Sequence, residues 1–135
     1  MIRGILEEQV QAALKKLDIQ VDQVHFEHPV DLAYGDFATN AAMVYAKETG
    51  ENPKQLAEEI VRLIELQRPE EIECGEVAGP GFVNFYLSKD FFAKSVQEIL
   101  EAEKDWGKNR NLCDTKIMVE YTDPNPFKEF HIGHL

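Results

Sequence analysis

Basic residues are scarce in this chain: 14 Lys and Arg stand against 25 Asp and Glu, a net charge of −11. That deficit argues against a domain that holds nucleic acid by bulk electrostatics. An RNA contact would have to be small, made through stacking and base edges, and helped by a larger basic partner. Cysteine is nearly absent as well. Cys74 and Cys113 lie far apart, with no Cys-x-x-Cys and no histidine cluster. No metal site is therefore expected, and free thiols in a reducing cytoplasm are. Nothing approaches the roughly 18 consecutive apolar residues that a membrane span needs. The opening Met1-Ile2-Arg3-Gly4 lacks the apolar stretch and cleavage site of a signal peptide, so a cytoplasmic protein is expected. Internal repeats and low-complexity tracts are missing too. What remains, at 135 residues, is enough for one hydrophobic core and a remnant.

Ile2, Leu6, Val10, Ala13, Leu14 and Leu17 recur at three- and four-residue spacing, which predicts an amphipathic first helix. Glu7, Glu8, Lys15 and Lys16 fall on its solvated face. Val24-His25-Phe26-Glu27-His28 alternates as a short strand and is ended by Pro29. His25 and His28 have no further ligand types close by, so they are read as strand-surface histidines. Tyr34-Gly35-Asp36 is a turn that launches a second helix, with Asp36 as N-cap and Gly50 as the stop. Ala38, Ala41, Ala42 and Tyr45 give that helix a small-residue stripe for close packing. Asn52-Pro53-Lys54-Gln55 is a helix start, with an N-cap followed by proline at the first position. Leu56, Ala57, Ile60, Val61 and Ile64 form the buried face of this third helix.

Ile72 to Ala78 reads as a strand, with a bulge at Gly75 where the parity slips. After the Gly79-Pro80-Gly81 turn, Phe82 to Leu87 is the strongest strand in the chain. Ser88 caps a fourth helix that carries Phe92, Val96, Ile99, Leu100 and Glu103 on successive turns. From Lys104 to Lys116 periodicity disappears, as in a linker. The order helix, strand, helix, helix, strand, strand, helix predicts an α+β fold, a small antiparallel sheet packed against about four helices.

The pleat sorts the Phe82–Leu87 strand into two faces. Val83, Phe85 and Leu87 point into the core, and Phe82, Asn84 and Tyr86 point the other way. Two aromatics flanking an amide could take one unstacked base, the ring stacking and the amide reading an edge. Alternatively another strand, a loop or a neighbouring domain covers that face.

The last stretch is the most distinctive. An apolar strand-like run from Ile117 to Tyr121 empties into Asp123-Pro124-Asn125-Pro126, and then His131-Ile132-Gly133-His134 opens what reads as the first turn of a helix. A helix N-terminus presents free backbone N–H groups and a positive dipole end, which suits phosphate. Gly133 would let a ligand approach the backbone, and the histidines can donate to phosphate oxygens.

Read together, Val119-Glu120, Asp123-Pro124-Asn125, Lys128 and His131-Ile132-Gly133-His134-Leu135 resemble the first signature of class I aminoacyl-tRNA synthetases, in the form used by arginyl-tRNA synthetases. The chain departs from that pattern at Asp123, where the family usually has Ser, and at Glu129, where it usually has Pro. Gly35-Asp36-Phe37-Ala38-Thr39-Asn40-Ala41-Ala42 and Glu76-Val77-Ala78-Gly79-Pro80-Gly81-Phe82-Val83-Asn84 resemble stretches of the N-terminal domain of the same family.

The resemblance implies three parts: residues 1–103 as a domain that recognises the tRNA elbow at its D-loop, 104–116 as a linker, and 117–135 as the truncated start of the class I catalytic domain, with the first strand of its nucleotide-binding fold. It implies tRNA contacts at Gly79, Phe82, Asn84 and Tyr86. It further implies ATP contacts at Lys128, His131, Gly133 and His134, and arginine contacts at Glu120, Asp123, Asn125 and His131. The parent enzyme would use ATP with Mg2+, arginine and an arginine-specific tRNA, and a monomer is expected. Without a second signature or pocket walls, this stretch alone is expected to be inactive. A free-standing tRNA-binding module, or an acidic protein-interaction module, is the alternative.

Overall fold

The apolar spacing at the start of the chain folds into α1 (Ile2–Lys16), with Leu6, Val10, Ala13 and Leu14 fully buried, in a computed structural model that describes residues 2–67, 69–108 and 112–120. A loop follows, anchored by Tyr45. The Tyr45 hydroxyl accepts from the amides of Asp22 and Gln23 and donates to the Gln23 carbonyl at 3.0 Å. The first strand, β1, is shorter than the alternation suggested. It covers Phe26–Glu27, with Phe26 buried and Glu27 exposed as the pleat requires.

One expected helix start is a strand instead. Phe37–Thr39 forms β2, paired with β1 on one side and with β4 (Phe82–Leu87) on the other. The carboxylate of Asp36 is not a cap. It accepts from the Leu87 amide at 2.8 Å, while the Asp36 amide donates to the Phe85 carbonyl at 2.9 Å. The second helix, α2 (Ala41–Thr49), begins after Asn40 and ends on left-handed Gly50. Thr39 supplies the side-chain oxygen that its first turn needs, accepting from the Ala41 amide at 3.2 Å. Ala41, Ala42 and Tyr45 are buried on α2 as their spacing suggested, but Ala38 is buried within β2.

The start of α3 (Pro53–Gln67) is the expected one. Asn52 Oδ1 accepts from the amides of Lys54 and Gln55, and Leu56, Ala57, Ile60 and Ile64 face the core. The seven residues of β3, Ile72–Ala78, pair antiparallel with β4. The register shift lies between Ile72 and Cys74, two residues earlier than expected, whereas Gly75 pairs in register with Phe85. Gly75 is small for another reason: a Cβ there would sit 3.3 Å from both methyl carbons of Val61 on α3. Ser88 then caps α4 (Lys89–Ala102) by accepting from the Phe91 amide.

The sheet order is β1-β2-β4-β3, all antiparallel, with β4 at its centre of gravity between β2 and β3. This is the α+β arrangement that the element order predicted. Val83, Phe85 and Leu87 enter the core beside Leu6, Leu14, Ile60 and Ile64. By contrast Phe92, Val96, Ile99 and Leu100 of α4 are all exposed. The chain divides into two compact units, 1–102 and 103–135. In the second unit a 3-10 turn covers Glu103–Asp105. The strand expected from Ile117 is absent over its described residues 117–120, which are exposed and carry no ladder. Apolar, β-branched residues make a strand only where a neighbour offers ladder partners. Tyr121 and the expected helical turn at His131–His134 lie outside the described residues.

Candidate nucleic-acid interface

The face of β4 that carries Phe82, Asn84 and Tyr86 is the floor of a cleft rather than an open platform. Phe82 and Tyr86 are half-buried and Asn84 is buried, 5% exposed. Asn84 sits opposite Ala38 of β2 and Glu76 of β3, so both neighbouring strands flank it. Glu27, Pro29, Val30, Tyr34, Ala78 and Gly79 line it together with Phe82 and Asn84, around an open hollow of about 300 Å3. That is the lower end of the range for ligand sites.

Asn84 makes no side-chain hydrogen bond to another described residue. Among the described residues the one sealed, unpartnered side-chain atom is Gln9 Oε1. A buried amide normally has its partners inside the fold. Asn84 itself lines the cleft.

Gly79 stands at the mouth with φ 53°, and a Cβ there would meet nothing within 4 Å. The approach over that turn is therefore open. Phe82 is a ridge between two hollows, since it also borders a second one of about 240 Å3 with His25, Phe26, Ala38 and Asn40.

Tyr86 is engaged differently from its neighbours on the strand. Its hydroxyl lies 2.8 Å from the Ala33 carbonyl and 3.2 Å from Glu76 Oε2, and donates to them. Burial first, then the bond and charge of Glu76, push its ionisation up, so it stays a donor. Tyr86 thus ties the Asp31–Gly35 turn to the sheet through its hydroxyl proton. His28 belongs to the same scaffold: its Nδ1 donates to the Asp36 carbonyl at 2.8 Å and its ring packs 4.2 Å from that of Phe37. His25 and His28, expected on the surface of a strand, are exposed but flank the two-residue β1 rather than lying in it.

Val30 and Tyr34 were not singled out in the sequence. A signal was available, because an apolar turn bounded by Pro29 and Gly35 places hydrophobic side chains where loops are usually polar. Among the described residues that line the cleft, Glu27 is the one that carries a charge.

Of the residues assigned to ATP and arginine, only Glu120 is described, and it is exposed. Asp123, Asn125, Lys128, His131, Gly133 and His134 lie outside the described residues. Among the described residues no group of three or more His, Cys, Asp or Glu could hold a metal ion. Among the described residues no helix is long and apolar enough to cross a membrane either.

Comparison with known proteins gives a consistent picture. The family described as "Arginyl tRNA synthetase N terminal domain" matches residues 4–87. The arginine–tRNA ligase of Staphylococcus carnosus is 37% identical over 135 residues, covering 98% of this chain and 24% of that protein. The enzyme of the same name from Chlorobaculum tepidum is 40% identical over 126 residues, covering 92% of this chain and 22% of that protein. The chain therefore spans about a quarter of the length of these relatives. Among solved structures, Thermus thermophilus arginyl-tRNA synthetase superposes with a TM-score of 0.60 at 27% identity, covering 70% of this chain and 15% of that one. The Plasmodium falciparum arginyl-tRNA synthetase shares the fold at 21% identity, with a TM-score of 0.63 over 73% of this chain and 18% of that one.

Proposed function

The chain belongs to the arginyl-tRNA synthetase N-terminal domain family, and from that premise we propose that it is the tRNA-contacting portion of an arginine–tRNA ligase. Its first 103 residues are read as the elbow-recognition domain, 104–116 as a linker and 117–135 as the opening of the catalytic domain. The parent enzyme would activate arginine with ATP and Mg2+ and transfer it to an arginine-specific tRNA. Lys128, His131, Gly133 and His134 would face ATP, and Glu120, Asp123, Asn125 and His131 would face arginine. That chemistry needs aligned reactants and stabilised charge on phosphorus rather than a side-chain nucleophile. Hydrogen-bond donors in the signature suit it.

The observation that carries the proposal is the placement of Asn84, with no side-chain hydrogen bond to another described residue, in a cleft that Phe82 and Gly79 also line. Stacking on Phe82 would supply affinity, and the amide would distinguish one base edge from another. Tyr86, assigned to the same site by resemblance, contributes by holding the turn. The deficit of positive charge is met because the contact is with a base, not with phosphate.

The test is binding of an arginine-acceptor tRNA transcript to the 135-residue chain. Phe82→Ala should weaken binding by about 1–3 kcal/mol through lost stacking. Asn84→Ala should relax the preference at one D-loop position. Phe82 is half-buried, so its replacement should leave the melting temperature nearly unchanged. An unchanged affinity together with a destabilised domain would refute the base-binding role.

A further inference from the structure

The strand register lines up four side chains in one row across the sheet. Glu27 of β1 pairs with Ala38 of β2, Ala38 with Asn84 of β4, and Asn84 with Glu76 of β3. Partners in register stand on the same face, one strand spacing apart. The row therefore reads carboxylate, methyl, amide, carboxylate. Its two ends are not equivalent. Glu76 Oε2 accepts from the Tyr86 hydroxyl at 3.2 Å. Glu27 is exposed, and none of the ion pairs among the described residues involves it. Glu27, Ala38 and Phe82 line both the cleft and the neighbouring hollow of about 240 Å3. The carboxylate thus stands at the border of the two hollows, with a single methyl group between it and Asn84.

We infer that Glu27 is a ribose-reading residue, whose carboxylate accepts from the 2′-hydroxyl of the nucleotide that Phe82 and Asn84 hold by its base. This rests on the reading of the cleft as a base site and adds to it a choice of RNA over DNA. An ionised carboxylate can only accept, so a ligand must bring it a donor. Within a polynucleotide the 2′-hydroxyl is the one donor that sugar and phosphate possess, and DNA lacks it. Phosphate would be repelled at the same place. Glu27 lies two strand spacings from Asn84, about 10 Å between the backbones. That is the scale of a nucleoside from the hydrogen-bonding edge of its base to its ribose. Ala38, in the middle of the row, leaves room for the nucleoside to lie across.

The test is nuclear magnetic resonance titration of the 135-residue chain with arginine-acceptor tRNAs assembled from synthetic fragments. Each carries 2′-fluoro in place of one D-loop 2′-hydroxyl, which keeps the sugar in its RNA pucker but cannot donate. At one position the fluoro form should bind the unaltered chain roughly 3- to 20-fold more weakly than the ribo form. Glu27→Ala should bring that ratio to one. Glu27→Gln, which keeps an acceptor oxygen without the charge, should reduce the ratio without abolishing it. A ratio unchanged in Glu27→Ala would overturn the inference, as would the absence of a fluoro penalty at every position. Transcripts made abasic at single D-loop nucleotides separate this inference from the reading beneath it. The nucleotide whose abasic form weakens the unaltered chain but not Phe82→Ala should be the fluoro-sensitive one. If such a nucleotide exists and the fluoro penalty falls elsewhere, the base site stands and the ribose contact is wrong. If no abasic form differs from the intact transcript, or nothing binds, the base-site reading fails and the ribose contact falls with it.

Discussion

At Gly35 the backbone runs at φ 86° and ψ −175°, a region essentially restricted to glycine. A Cβ built there would lie 2.7 Å from the Phe85 carbonyl oxygen, which is main chain of the central strand and cannot step aside. Gly35→Ala should therefore cost on the order of 2–4 kcal/mol from strain and displacement together. Thermal unfolding should show a drop of roughly 6–12 °C. Gly50→Ala is the control: φ is 77° but the added carbon meets nothing, so about 1 kcal/mol is expected. Sequence reading found the turn at Tyr34-Gly35-Asp36 but misjudged Asp36. An Asp before an apolar run is the local mark of a helix cap, whereas its carboxylate bonds Leu87, 51 positions away. Local pattern carries no trace of such a partner. For the same reason the burial of Asn84 was invisible, since it comes from β2 and β3 closing on both sides.

Among the elements, those with a sustained period were legible: α1 and α3 from apolar residues on successive turns, β3 and β4 from run length and the Gly-Pro-Gly turn between them. The three residues of β2 were not, being too few for any period to register. Amphipathicity shows which face of a helix is apolar without showing what, if anything, lies against it. On α3, Ile64 is 2% exposed, while Leu100 on α4 is 70% exposed. Ile64→Ala should accordingly destabilise the chain by about 2–5 kcal/mol through an unfilled cavity. Leu100→Ala should shift stability by no more than about 0.5 kcal/mol. Urea unfolding of the two variants would check the contrast, and a large loss at Leu100 would mean that α4 is covered. The stretch that resembles the first class I signature was legible as a motif, yet its residues beyond Glu120 lie outside the described residues.

On the scale of the whole molecule the charge of −11 and the acidic Glu27 on the lining of the cleft belong together. Binding through phosphates releases counterions and weakens steeply with salt, whereas stacking does not. The affinity ratio between the unaltered chain and Phe82→Ala should thus be the same within error from about 50 to 200 mM salt. A ratio that collapses as salt rises would assign Phe82 to a phosphate contact. One further consequence follows from the bond between Tyr86 and Ala33. Phe82, Asn84 and the strap on the Asp31–Gly35 turn all issue from the single strand β4. The aromatic, the amide and the tie to the turn are thus carried by one strand. On the proposed reading the moving part is then the RNA, and the encounter waits on how often the loop turns its nucleotide outward. Discrimination would begin as a filter on RNA dynamics, set by loop sequence and base modification before any contact with the protein.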